Sequence, residues 1–151
     1  MLRWAIALAA ALVLAGCSAP PPETNTQAAS NSQEAADAAL QGLVSDFRDN
    51  WGMTSWYASV SSFALSLEGQ HATLNVYTSL YPKASNEQAA RAICVGAVQS
   101  LAHVVTTTES TVTVFSGNPD SYRYLLACTA KYGSDGKLRE PIAWQIFSGL
   151  R

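Results

Sequence analysis

The sequence predicts an α+β domain, with an antiparallel sheet of about five strands and two helices on one face. Three observations carry this. Two segments repeat apolar residues at intervals of three and four, the period of a helix with one buried stripe. Other segments alternate apolar and polar residues, the period of a half-buried strand. Short turns rich in Gly, Asn and Asp separate most consecutive strands, which implies antiparallel pairing. The expected order is α-β-β-α-β-β-β.

The first helix fits Glu34 to Asp49, where Ala36, Leu40, Leu43 and Phe47 make one stripe. Ser30 or Ser32 is placed to cap it. Asn50-Trp51-Gly52 ends it, with Gly52 suited to a positive φ. Phe63, Leu65 and Leu67 alternate with Ala64, Ser66 and Glu68 in a first strand. After the turn Glu68-Gly69-Gln70, Ala72, Leu74, Val76, Thr78 and Leu80 line one face of a second strand, completing a hairpin. Pro82 stops that strand. Ser85 and Gln88 have the spacing of a capping box, and a second helix follows to about Val104. Its core face is Ala89, Ala90, Ile93, Ala97, Leu101 and Val104. Three strands complete the domain, at Thr111–Phe115, Tyr122–Tyr132 and Pro141–Phe147. The turns between them are Gly117-Asn118-Pro119-Asp120 and Gly133-Ser134-Asp135-Gly136.

The N-terminus reads as an export address. Met1-Leu2-Arg3 is a short basic start, and Trp4 to Ala15 is an uncharged apolar run of 12 residues. As a helix that run reaches roughly 18 Å, short of the roughly 30 Å hydrocarbon core, so it fits a signal peptide and not a spanning helix. It ends in Leu14-Ala15-Gly16-Cys17, which resembles the lipobox of bacterial lipoproteins. The resemblance implies removal of residues 1–16 and lipidation of Cys17, a palmitate-type anchor on the outer side of the cytoplasmic membrane. Ser18 in place of Asp is compatible with an outer membrane if the host is Gram-negative. Residues 17–33, with Pro20-Pro21-Pro22 and no large apolar side chain, read as a flexible Pro-rich tether. Residues 34–151 then form a single globular domain.

Composition narrows the partners. Of 151 residues, 48% are hydrophobic and only 13% charged, enough for one small core. Loss of residues 1–16 removes Arg3, leaving 8 basic against 11 acidic side chains, a formal charge of −3. No stretch clusters Lys and Arg, which argues against a nucleic-acid partner.

Cys94 and Cys128 remain in the mature chain, each beside an apolar face. Outside the cytoplasmic membrane a disulfide between them is favoured, and two buried free thiols are the alternative. His71 and His103 lie in different elements and lack the spacing of metal ligands, so neither a metal nor another cofactor is expected. No Gly-x-Ser-x-Gly elbow, Walker loop or glycine-rich dinucleotide turn occurs. Ser134 and Lys137 match Ser-x-x-Lys in spacing only, because two turn formers separate them. Asp46 and Asp49 read as solvated carboxylates on a helix face. The aromatic residues are the remaining signal. Phe47, Trp51, Trp56 and Tyr57 gather near the end of the first helix, and Tyr77 and Tyr81 fall on the non-core side of the second strand. The latter pair is the candidate ligand-binding surface.

The segment Tyr77-Thr78-Ser79-Leu80-Tyr81-Pro82 with Ala89-Ala90-Arg91-Ala92-Ile93-Cys94 resembles short lipoproteins and secreted proteins of actinobacteria and their phages. That likeness lies between residues 77 and 94 and implies no particular activity. The expected function is a non-enzymatic, membrane-anchored envelope lipoprotein that binds a protein or cell-wall ligand. The alternatives are a prophage-encoded superinfection-exclusion lipoprotein and a small envelope enzyme.

Overall fold

The computed structural model describes residues 24–147, with side chains from residue 33 onward. The expected signal peptide (1–16), the lipidation site Cys17 and residues 17–23 of the expected tether lie outside these described residues.

The chain forms α1 (Thr24–Trp51), β1 (Val60–Glu68), β2 (His71–Thr78), α2 (Glu87–Val104), β3 (Glu109–Asn118), β4 (Ser121–Lys131) and β5 (Ala143–Ile146), with single 3-10 turns before β1 and α2. The five strands make one sheet in the order β1-β2-β3-β4-β5. This is the expected α+β order with one change. The pairs β1–β2, β3–β4 and β4–β5 are antiparallel, but β2 and β3 run parallel. A tight turn must reverse the chain, whereas α2 carries it back across the sheet, so β3 starts beside the start of β2. The Gln70 carbonyl marks that alignment by accepting from the N–H of Thr108 at 2.9 Å.

One face of the sheet carries the core. Leu65, Leu74, Val112 and Cys128 lie in one cross-strand row, and Phe63, Val76, Val114, Leu126 and Ile146 in the next. Onto these rows α1 lays Leu43 and Phe47, and α2 lays Ala90, Ile93, Cys94, Ala97 and Leu101. The expected stripes hold at Leu43, Phe47, Ala90, Ile93, Ala97 and Leu101, whereas Ala89 and Val104 are only partly buried and Cys94 and Val98 are fully buried beside them. Cys94 and Cys128 are bonded, with Cα atoms 6.4 Å apart, which ties the middle of α2 to β4. Phe47 anchors α1 over the start of β1 by edge contacts with Phe63 at 5.1 Å and Trp56 at 5.8 Å.

Three local expectations change. α1 starts at Thr24 instead of Glu34, so the second half of the expected tether is helical. Its polarity denies it a core, but after Pro22 it contains neither Gly nor Pro, the two residues that most oppose a helix, and it runs directly into the Ala-rich stretch that follows Glu34. At α2, Ser85 sits inside a 3-10 turn, Asn86 occupies the N-cap, and no side chain caps the helix. Gly52 ends α1 without a positive φ. There the need for glycine is close approach, since a Cβ would stand 2.5 Å from the Arg48 carbonyl oxygen.

Candidate functional site

No described helix or strand packs on the face of the sheet opposite the helices, and its side chains sort into three zones along the strands. The first zone, at the β1–β2 turn, is a row of ionisable side chains, Glu68, His71, Glu109 and Lys131. His71 Nδ1 lies 3.6 Å from Glu109 Oε2 within it. The middle holds small polar and methyl side chains. Ser66, Thr73, Thr111, Thr129 and Ala143 form one row, and Ala64, Asn75, Thr113, Ala127 and Gln145 the next. No large side chain projects from these two rows.

The third zone is aromatic. A bulge sets Leu125 out of register, after which Phe115 pairs with Tyr124 and Gly117 with Tyr122. Both tyrosines thereby reach the open face beside Phe115. Tyr77 stacks on Phe115 with ring centres 5.2 Å apart. Tyr122 and Tyr124 meet Phe115 at 4.7 and 4.8 Å, and Phe147 closes the group 5.0 Å from Tyr124. Such offset and edge contacts hold each ring in a fixed orientation.

The candidate pair Tyr77 and Tyr81 does not form one exposed surface. Tyr77 is on the open face, as alternation requires, but is only 6% exposed beneath its neighbours. Tyr81 is 75% exposed but lies beyond the end of β2, where strand alternation no longer sets its direction. Accessible ring surface in the cluster belongs instead to Tyr122 and Tyr124, 45% and 49% exposed. Their sequence signal was the alternating Tyr-x-Tyr after a turn. The turn itself is firm, because Asn118 Oδ1 accepts from the N–H groups of Asp120 at 3.1 Å and Ser121 at 3.0 Å.

A second arrangement lies on the helix side. His103 Nδ1 stands 3.1 Å from Asp46 Oδ1, across 57 residues of sequence. Burial alone would raise the Asp46 carboxyl, but the Ser100, His103 and Asn50 side chains together hold it below its ordinary value. Asp46 is thus a structural partner and not merely a solvated carboxylate. His103 also borders a cleft of about 500 Å³ between α2 and the β4–β5 connection, lined by Val98, Ala102, Tyr132, Lys137 and Leu138 among others. Neither Ser nor Cys stands among the cleft's lining residues. Among the described residues, no three His, Cys, Asp or Glu side chains converge to hold a metal. No described helix is long and apolar enough to cross a membrane.

No protein-family model, curated protein or solved structure matches this chain.

Proposed function

We infer that the chain is a membrane-anchored envelope lipoprotein whose domain acts by binding a protein or cell-wall ligand on the open face of its sheet. The observation that carries the binding reading is the pair Tyr122 and Tyr124. They are exposed, yet braced on Phe115 and Tyr77, and they adjoin rows of Thr, Asn and Gln. Rigid rings beside small hydrogen-bonding groups suit contact with a sugar ring or a peptide surface, because little side-chain entropy is lost on docking. The anchor rests on the apolar run that ends in Leu14-Ala15-Gly16-Cys17. Two or more acyl chains give stable attachment where one gives marginal attachment.

The test has two arms. Cys17→Ala should release the protein from the membrane fraction, and equal retention of variant and wild type overturns the anchor. For the domain, the phenotype of a deletion strain is scored after complementation. Tyr122→Ala with Tyr124→Ala should abolish function while leaving the fold intact.

A second reading, a small envelope enzyme, is favoured by one observation, the His103–Asp46 pair at the mouth of the 500 Å³ cleft. A His held by a carboxylate is half of a general-base arrangement. Loss of function in His103→Ala, with the tyrosine variant active, would select this reading over binding.

A further inference from the structure

The two edges of the sheet are built differently. β5 has four residues and follows Pro141 closely, so it offers little to a further strand. β1 has nine residues, Val60–Glu68, and contains no Pro, Gly, Lys or Arg, its one charge being Glu68 at the end. Its register with β2 is irregular only between Val60 and Ser62, so the stretch from Phe63 onward is regular. In an antiparallel ladder, every second residue of an edge strand turns its N–H and C=O away from its partner. Among the described residues, no further backbone hydrogen bond reaches those outward groups of β1. Phe63, Leu65 and Leu67 pack against the core yet are only partly buried, because nothing described lies beyond them on that side. Natural sheets protect such an edge with charge, proline, a bulge or a cover, and between Phe63 and Leu67 this strand carries no charge, proline or bulge.

We propose that β1 is the interface of a homodimer, in which the β1 strands of two copies pair antiparallel about Leu65. The strand is self-complementary in that register. Leu65 faces Leu65 of the second copy, and Phe63 faces its Leu67, so the half-open apolar row is continued across the axis. Ala64 faces Ser66, and Glu68 faces Ser62, so no like charges oppose each other. A twofold axis makes each contact occur twice. The blunt β5 edges close the assembly at two copies, giving one continuous sheet of ten strands. The open faces of both copies then lie side by side, which doubles the surface without requiring any particular ligand.

The experiment is native mass spectrometry of the full chain released from detergent micelles. Wild type should appear as a dimer. Ala64→Lys with Ser66→Lys places lysines opposite lysines on exposed positions and should weaken the dimer about tenfold or more. Ala64→Glu with Ser66→Glu should do the same. Mixing the two variants should restore a dimer made of one chain of each. Thermal unfolding followed by circular dichroism verifies that each variant is folded. A monomeric wild type, larger open-ended species, Lys variants that remain dimeric, or a mixture that stays monomeric would each overturn the proposal.

Discussion

Asp46 on α1 and His103 on α2 join the two helices side chain to side chain, at 3.1 Å. The contact lies at the surface, so its contribution is modest. Asp46→Asn should lower stability at neutral pH by a few tenths to about 1 kcal/mol, as exposed ion pairs do. The pH dependence follows from the lowered Asp46 carboxyl. A folded-state value below the unfolded one gives stability that is complete above the ordinary value of 3.8 and is lost as pH falls through the lowered one. Urea unfolding at neutral pH and below 3.8 should therefore show a difference between wild type and Asp46→Asn that shrinks in acid.

The Cys94–Cys128 bond closes a loop across a separation of 34 residues. In the chain-entropy account, a loop of that length stabilises by about 3.5–4 kcal/mol. Reduction, or Cys94→Ser with Cys128→Ser, should lower the urea midpoint accordingly. Mass spectrometry of the unreduced chain should find it lacking two hydrogens, with neither Cys alkylated.

Tyr132 is buried, with its hydroxyl 2.8 Å from Ser110 Oγ and donating to the Val98 carbonyl at 3.1 Å. Tyr132→Phe leaves Ser110 unpartnered in the core and should cost about 1–3 kcal/mol. Burial, opposed by the Ser110 hydrogen bond, raises the Tyr132 hydroxyl above its usual 10.0. The unfolded chain therefore ionises first in alkali, and this contribution to stability is lost as pH rises. An ultraviolet titration should show one tyrosine ionising late in the wild type, and none doing so for this reason in Tyr132→Phe.

Gly117 and Gly69 both have positive φ, at 109° and 58°, but differ in surroundings. A Cβ on Gly117 would overlap the carbonyl of Ser121, whereas one on Gly69 meets nothing within 4 Å. Gly117→Ala should destabilise by more than the ~1–3 kcal/mol of backbone strain alone, because overlap is added. Gly69→Asn should be nearly neutral, since Asn tolerates the left-handed region. Thermal melts of the two variants provide the comparison.

Local periodicity made the stripes of both helices and the buried faces of β1 and β2 legible, while β-branched content and turn residues placed the three later strands. Leu43 and Phe47, or Leu74 and Val76, announce a face by their spacing, because burial acts on each residue through the helical or strand repeat of its own segment. The same reasoning placed Cys94 and Cys128 on facing core surfaces. What the spacing does not carry is which strand lies beside which, since ladder hydrogen bonds join peptide groups that are alike in every residue except proline. The parallel pairing of β2 with β3 was therefore decided by the path of α2 across the sheet. The aromatic cluster was decided by the bulge at Leu125, which aligns Tyr124 with Phe115. Tyr77 kept its expected face but lost its exposure to those neighbours. Asp46 and His103, 57 residues apart, became partners only when α1 and α2 packed on the same side of the sheet. Residues far apart in sequence meet through the shared core, and side-chain pattern within one segment holds no record of that meeting.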